Sequence, residues 1–430
     1  MEESMRIAFF CPHSDPLARP GEPDAGGQCV YEAQVAIALA EQGHEVRCFT
    51  RHYGDKLEHE VIQDQAMVFR YPMGPPGFLR KEDMGPYLAE FTQQVITDQH
   101  SWLQEASSFH GHYWDGGATA LGASLALGKP LVFTSHSLGA LKRDRVSDTT
   151  TDGSAFRYPV RILAERRILH AADCVIALSE VERDALVDRY DTEPNKVRIV
   201  PGGVDIDAFK PTENKAILKA SLNIETDFLV FTVGRLDSRK GFFELVAAIP
   251  YVVEALQQAN KSVTFLLPGG PEHPSAEEAA YKRIMQTEAE ARNVTGHIRW
   301  FPRLSDDDLK ICYAAADVFA CPSPYEPFGL VLVEAFASGT PVVATPHGGP
   351  REIVTSGVDG YLAEPTDPKA FAERIVDVLG QNDERRADMG HAALAKAKER
   401  YAWRAVSQRI AEIYQQLETM LLSRPDQPTA

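Results

Sequence analysis

The most specific chemical signal in this 430-residue chain is the run Ser323-Pro324-Tyr325-Glu326-Pro327-Phe328-Gly329-Leu330-Val331-Leu332-Val333-Glu334, with two carboxylates eight residues apart. Pro327 and Gly329 keep Glu326 in a loop, whereas Glu334 falls in the helix that starts near Leu330. At ~1.5 Å rise per residue the two acids lie on the order of 10 Å apart. That is too far for a close dyad and suits different hydroxyls of one elongated ligand. Between them, N–H groups left unpaired at the helix start can take sugar hydroxyls or phosphate. Taken alone, a Glu326 that caps the helix and a solvated Glu334 explain the run equally well.

A second run, Gly234-Arg235-Leu236-Asp237-Ser238-Arg239-Lys240-Gly241, lies between an apolar strand and a helix. Arg235 and Lys240 bracket that turn, and two cations there can neutralise a diphosphate and stabilise it as a leaving group. The plain alternative is a pair of solvated surface charges. Near the N-terminus, Asp24-Ala25-Gly26-Gly27-Gln28 precedes a helix. Paired glycines allow close approach of a ligand to the backbone, and a helix N-terminus attracts anions. A loop that only needs positive φ angles reads the same way.

Phe109-His110-Gly111-His112-Tyr113-Trp114-Asp115 and Thr134-Ser135-His136-Ser137-Leu138-Gly139 each follow or end an apolar strand. Three histidines raise the question of a metal, but they sit in separate segments with no evident carboxylate ligand, so no metal site is expected. His136 at a strand's carboxyl end fits a substrate contact, with a buried core histidine as the alternative. Lys81, Lys142 and Arg161 fall near the same loops. Singly each reads as a surface charge; together they can form a pocket for a phosphorylated acceptor, because Arg binds phosphate bidentately and Lys as a point charge.

The elements that must position these groups alternate. Strands are expected at Arg6–Cys11, His44–Thr50, Pro130–Ser135, Cys174–Leu178 and Val197–Val200, with a helix at Gln28–Glu41. After Pro201-Gly202-Gly203 the alternation restarts, with strands at Phe228–Gly234, Ser262–Leu267, His297–Phe301, Val318–Cys321 and Pro341–Ala344. Helices are expected at Phe242–Gln257, Glu277–Arg292, Asp307–Ala315, Leu330–Ser338, Pro368–Leu379 and Ala402–Leu422. Such alternation specifies α/β architecture: two doubly wound, Rossmann-like domains with a cleft between them and ligands outside the carboxyl ends of the strands. The expected division is 1–203, 204–402 and a closing helix and tail at 403–430. No G-x-G-x-x-G is present, which removes the main support for a nicotinamide dehydrogenase.

Composition excludes other classes. Forty-four Lys+Arg against 61 Asp+Glu give a net charge of −17, which repels nucleic acid and anionic lipid over most of the surface. The first residues show no signal-peptide pattern and no apolar stretch is long enough to span a bilayer. Cys11, Cys29, Cys48, Cys174, Cys312 and Cys321 are scattered without C-x-x-C. Buried thiols in a reducing cytoplasm are therefore expected.

Taken in order, these motifs resemble the retaining nucleotide-sugar glycosyltransferases of family 4, with the GT-B fold, along nearly the whole chain; Tyr401-Ala402-Trp403 and the helix after it fit a last helix that crosses back to the first domain. Within the family the nearest likeness is to sucrose-phosphate synthases, through Gly77-Phe78-Leu79-Arg80-Lys81-Glu82-Asp83, Pro86-Tyr87, Glu90-Phe91, His110-Gly111-His112-Tyr113, His136-Ser137-Leu138-Gly139 with Lys142, and Arg161-Ile162-Leu163-Ala164-Glu165. Val160 stands where those enzymes often carry a second arginine, and Arg157 is the candidate to compensate. Trp114 is shared instead with the mycothiol-pathway enzymes that glycosylate inositol phosphate, which also have a lysine, tyrosine and arginine at positions like Lys81, Tyr113 and Arg161. The resemblance thus supports a phosphate on the acceptor better than the sugar that carries it.

The resemblance implies that Arg235 and Lys240 hold the donor diphosphate, that Glu334 bonds the ribose, and that Glu326 with the backbone of Phe328, Gly329 and Leu330 orients the transferred sugar. Arg303-Leu304 would contact the base and His136 the sugar near its reacting carbon. Gly26, Gly27 and Gln28 would serve diphosphate and acceptor; Lys81, Tyr113, Lys142, Arg157 and Arg161 would hold the acceptor phosphate. The implied reaction is front-face retaining transfer, from UDP-glucose to fructose 6-phosphate, with domain closure excluding water. No cofactor is implied as required, and Mg2+ would act without an identifiable protein site. The same mechanism with GDP-mannose or an inositol-phosphate acceptor is the alternative. A nucleotide-sugar sensor without turnover and an epimerase that needs no acceptor are the remaining rivals. Nothing in residues 1–200 reads as a basic amphipathic helix for a membrane surface.

Overall fold

The computed structural model describes residues 4–18, 26–143, 158–270, 274–302 and 304–422. Asp24, Ala25, Arg157 and Arg303, all named above, lie outside these. The chain divides into two units, one formed by the residues up to Pro201 together with the chain from Trp403 onward, the other by Gly202–Ala402.

In the first unit the apolar run Arg6–Phe10 forms β1 at the centre of a sheet. Around it lie β2 (Glu45–His52), β3 (His59–Gln63), β4 (Ala66–Pro72), β5 (Ser108–His112), β6 (Leu131–Thr134), β7 (Cys174–Ala177) and β8 (Val197–Ile199), in the order β3-β4-β2-β1-β5-β6-β7-β8. All neighbours are parallel except the edge pair β3–β4. The strand order reverses between β1 and β5, which opens a crevice at their carboxyl ends. The closing helix Trp403–Leu422 belongs to this unit: Gln42 Nε2 donates to Ser407 Oγ at 2.7 Å, and the rings of Tyr31 and Trp403 meet edge to face at 5.6 Å.

The second unit is a parallel sheet of β9 (Phe228–Phe231), β10 (Val263–Pro268), β11 (Ile298–Phe301), β12 (Val318–Cys321), β13 (Val342–Ala344) and β14 (Gly360–Leu362), ordered β11-β10-β9-β12-β13-β14. Its reversal falls between β9 and β12. Each sheet is covered by helices over its own core, built around Phe10, Phe49, Phe109 and Phe133 in the first unit and Phe242, Val252, Phe265 and Ile375 in the second. Completely burying such side chains contributes about 1.5–3 kcal/mol each. All six cysteines are buried, and no helix among the described residues is long and apolar enough to cross a membrane.

Most expected elements lie within a residue or two of the observed ones, but strands β3, β4 and β14 and the helices Leu88–Asp98, Tyr113–Leu127, Tyr158–Ala171, Glu180–Tyr190 and Asp383–Lys396 were not anticipated. The helix Tyr113–Leu127 carries Gly116 and Gly117. A Cβ at Gly116 would lie 2.1 Å from the Phe10 carbonyl oxygen, and one at Gly117 would lie 2.6 Å from the Phe133 ring. The glycines let this helix lie directly on β1 and β6, against their ordinary helix-weakening effect, and that close seating fixes Tyr113 at its start.

Candidate active site

In the second unit the chain leaves β9 and passes Arg235, then makes a short 3-10 turn at Ser238–Lys240 before the helix Phe242–Gln258. Gly241 between them has φ +69°, and a Cβ there would lie 1.9 Å from the Pro322 carbonyl oxygen. Only glycine permits that contact, and it carries Lys240 to the loop after β12. There Lys240 Nζ donates to Glu326 Oε2 at 2.8 Å. Burial pulls the ammonium's pKa down, but the charge and hydrogen bond of Glu326 outweigh it and hold Lys240 above its ordinary value. Arg235 is exposed and close enough for its charge to oppose that gain. The three groups share one field with a cationic excess, as a diphosphate needs.

Backbone bonds hold Glu326 in place: its N–H donates to the His347 carbonyl at 3.2 Å, and the Gly349 N–H donates to the Glu326 carbonyl at 3.0 Å. Phe328 is buried, Gly329 precedes the helix Leu330–Ala337, and Glu334 sits in that helix. Tyr313 hydroxyl donates to Glu334 Oε2 at 2.7 Å. Burial pushes the Glu334 carboxyl up to about 7, and the Tyr313 hydrogen bond works against the rise. Glu334 is therefore not the solvated helix residue that a bland reading of the sequence allows. Leu304 is half-buried just before the helix Asp306–Ala315.

In the first unit Tyr113, Lys142 and Arg161 come together. The Arg161 guanidinium stands 4.4 Å from the Tyr113 ring centroid and Lys142 Nζ 5.7 Å from it. Arg161 Nη1 donates to the Tyr113 hydroxyl at 2.6 Å and Nε to Glu165 Oε1 at 2.7 Å, while Nη2 donates to the Ser137 carbonyl. Lys81 opens a half-exposed 3-10 turn with Glu82 and Asp83. The charge of Glu82 in this turn acts on Tyr113.

The glycine pair has a telling geometry. Gly26 is exposed with an extended φ of −169°, and neither Gly26 nor Gly27 has a positive φ. A Cβ at Gly26 would meet nothing within 4 Å. A positive φ angle is therefore not what requires glycine at Gly26 or Gly27. Gln28 turns inward, its amide donating to Glu32 Oε1 at 2.8 Å.

The expectation that no carboxylate joins the histidines is corrected. Strands β5 and β6 are parallel neighbours with His112 opposite Thr134, so His112 and His136 meet, and ligand atoms of Glu32, His112 and His136 lie within 4.8 Å of one another. The group is tied by its own hydrogen bonds: Ser14 Oγ donates to Glu32 Oε2 at 2.6 Å, Gln28 to Oε1, and His112 Nδ1 lies 2.9 Å from His136 Nε2.

Sequence reasoning missed several supporting residues. Buried Glu165 accepts from Arg161, from the Gly139 N–H at 3.1 Å and from the Tyr190 hydroxyl. Its i, i+4 spacing from Arg161 was the available signal. His13, two residues after Cys11 at the carboxyl end of β1, pairs with buried Asp115 at 2.9 Å, and its ring lies 4.8 Å from Tyr113. The switch-point rule could have found it.

Comparison with known proteins identifies the family. Residues 25–208 match the model for Glycosyltransferase Family 4 and residues 214–396 that for Glycosyl transferases group 1. The chain is 32% identical over 420 residues to a D-inositol 3-phosphate glycosyltransferase of Corynebacterium efficiens, covering 96% of each protein. It is 32% identical to the protein of the same name from Streptomyces scabiei, covering 95% of this chain and 90% of that one. The sucrose-phosphate synthase of Thermosynechococcus elongatus superposes with a TM-score of 0.82 at 29% identity, covering 97% of this chain and 100% of that one. The likeness to sucrose-phosphate synthases read from the sequence is thus met in the solved structure, while the curated relatives named here are inositol-phosphate enzymes. The chain belongs to glycosyltransferase family 4, the retaining hexosyl-transferring enzymes of the GT-B fold.

Proposed function

We propose that this protein transfers a hexosyl group from a nucleotide diphosphate sugar to an inositol phosphate, with retention at the anomeric carbon. The observation that carries the acceptor class is the cluster of Arg161 and Lys142 over Tyr113. Two cations on one buried aromatic match a phosphate monoester, and Lys81 is proposed to join them. Sequence identity to D-inositol 3-phosphate glycosyltransferases supports inositol as its carrier.

In this reading Arg235 and Lys240 neutralise the donor diphosphate as it departs. Glu326, fixed by Lys240, accepts hydrogen bonds from the transferred sugar, while the backbone at Phe328, Gly329 and Leu330 faces it. Glu334 bonds the ribose and Leu304 the base. His136 contacts the transferred sugar, and exposed Gly26 and Gly27 let the substrates approach the backbone. As the glycosyl–phosphate bond breaks, positive charge develops on the sugar. The acceptor hydroxyl attacks on the face the diphosphate leaves and passes its proton to that phosphate, so no side-chain nucleophile is used. The charge of the leaving group is met by Arg235 and Lys240 themselves.

A second reading keeps the mechanism and makes sucrose 6-phosphate from UDP-glucose and fructose 6-phosphate; the likeness to the sucrose-phosphate synthase structure favours it. Purified protein assayed for nucleoside diphosphate release, with UDP- and GDP-sugars against inositol 1- and 3-phosphates, fructose 6-phosphate and their unphosphorylated forms, decides between them. Release with an inositol phosphate alone supports the main reading. Release with fructose 6-phosphate alone establishes the second. Equal rates with unphosphorylated acceptors overturn both.

A further inference from the structure

Three imidazoles stand in a row in the first unit, and only the outermost has a role in the reading above. His110 and His112 lie on one face of β5 and stack with centroids 4.1 Å apart. His110 is engaged at both nitrogens, Nδ1 with the Tyr414 hydroxyl at 2.6 Å and Nε2 with Thr134 Oγ1 at 2.8 Å. His112 is fully buried; its Nδ1 lies 2.9 Å from His136 Nε2, and its Nε2 is buried without a partner. His136 is half-buried with φ +54°, and Tyr31 packs edge-on against its ring at 5.0 Å. Its Nδ1 makes no hydrogen bond among the described residues.

Burial, reinforced by repulsion between the rings, keeps His112 and His136 well below the usual histidine range. Each ring therefore carries one proton, and the 2.9 Å contact admits two arrangements. If His136 Nε2–H donates, the His112 proton sits on Nε2, a buried N–H with no acceptor. Orphaned buried donors are the rarest and among the costliest defects in proteins. If His112 Nδ1–H donates, the unpartnered Nε2 is only an unprotonated nitrogen, and the His136 proton moves to Nδ1.

We propose that His112 is a positioning residue that holds His136 in its Nδ1–H tautomer, so that His136 offers an N–H donor to an oxygen of the bound sugar. The location of that sugar rests on the function proposed above; the tautomer does not. An N–H at this position cannot take a proton from the acceptor. It also avoids setting an imidazolium beside a sugar that gains positive charge.

Long-range proton–nitrogen correlation spectra of the full chain labelled with 15N-histidine test this, with His136 assigned by loss of its signals in His136→Asn. The expected spectrum shows His136 protonated at Nδ1. His112→Asn places an amide N–H where Nδ1 stood, so it retains that tautomer and kcat within about threefold, whereas His112→Asp accepts instead, moves the proton to Nε2 and lowers kcat about 100-fold with acceptor KM unchanged. A wild-type spectrum with His136 protonated at Nε2 overturns the proposal without any variant, as does equal kcat in the Asn and Asp variants. Failure of every donor and acceptor pair with the Nδ1–H spectrum intact would sink the proposed function and leave this inference standing.

Discussion

If Glu334 bonds the donor ribose as proposed, donor binding depends on pH, and the size of the effect follows from the residue's environment. Burial raises the carboxyl to about 7. Free protein is then about 90% protonated at this position at pH 6 and about 10% at pH 8. A carboxylate accepts both hydroxyls of a ribose, whereas a carboxylic acid gives up part of its accepting capacity. Donor affinity should therefore weaken about tenfold from pH 8 to pH 6, measured by calorimetry with an intact nucleotide sugar, whose diphosphate diester does not titrate in that range. Glu334→Gln should bind weakly at both pH values with a flat profile. Tyr313→Phe removes the hydrogen bond that opposes the rise, so its midpoint should move above 7.

The stability sign runs the other way. Burial favours the protonated acid, so this contribution is complete below the ordinary carboxyl value of 4.5 and is lost as pH rises through 7. Ligand-free Glu334→Gln should equal wild type in acid and exceed it at pH 8, with a ceiling of about 3 kcal/mol from the size of the shift. Added nucleotide sugar should close the gap in favour of wild type. A flat wild-type donor affinity between pH 6 and 8, or the same slope in Glu334→Gln, refutes the reasoning.

Other substitutions separate the proposed donor contacts from the proposed acceptor contacts. Lys240→Ala and Glu326→Ala each remove one partner of a part-buried pair and should lower kcat by about 10²–10³; steady-state rates within threefold of wild type would remove both from the proposed donor site. Arg161→Ala or Lys81→Ala should raise KM for the phosphorylated acceptor about 10- to 100-fold, the value of one charged hydrogen bond, with kcat kept and donor KM unchanged. Gly26→Ala should leave Tm unchanged, since its Cβ meets nothing, yet lower kcat/KM. Gly241→Ala drives a Cβ into the Pro322 carbonyl and should lower Tm sharply; equal melting of the two variants would refute the steric argument.

What could be read from the sequence, and what could not, has a physical pattern. Central strands such as β1, β9 and β12 are buried on both faces, so their apolar runs declare them. The edge strand β3, His-Glu-Val-Ile-Gln, is largely exposed and polar, and nothing in its composition requires a sheet. Local spacing sufficed to nominate Arg235, Lys240 and Glu326 as candidates, because each follows a recognisable strand, and Glu334, because it lies in the helix that begins just after Gly329. The pairing of Lys240 with Glu326 spans 86 residues and depends on Gly241 meeting Pro322, a contact no local pattern encodes. The meeting of Glu32 with His112 and His136 is likewise a product of strand order.

Arg161 shows why such unforeseen contacts matter for function. Alone, a long arginine side chain must lose much of its rotamer freedom to hold a phosphate, which weakens binding. Here Glu165 takes Nε, the Ser137 carbonyl takes Nη2, and the Tyr113 hydroxyl takes Nη1 before any ligand arrives. Glu165 in turn grips the Gly139 N–H and the Tyr190 hydroxyl, tying the guanidinium to the turn that carries His136. The ordering cost is thus met when the protein folds. Under the proposed acceptor binding, an incoming phosphate has only to share donors that are already aimed, and the same carboxylate that aims them also fixes the segment on which His136 stands.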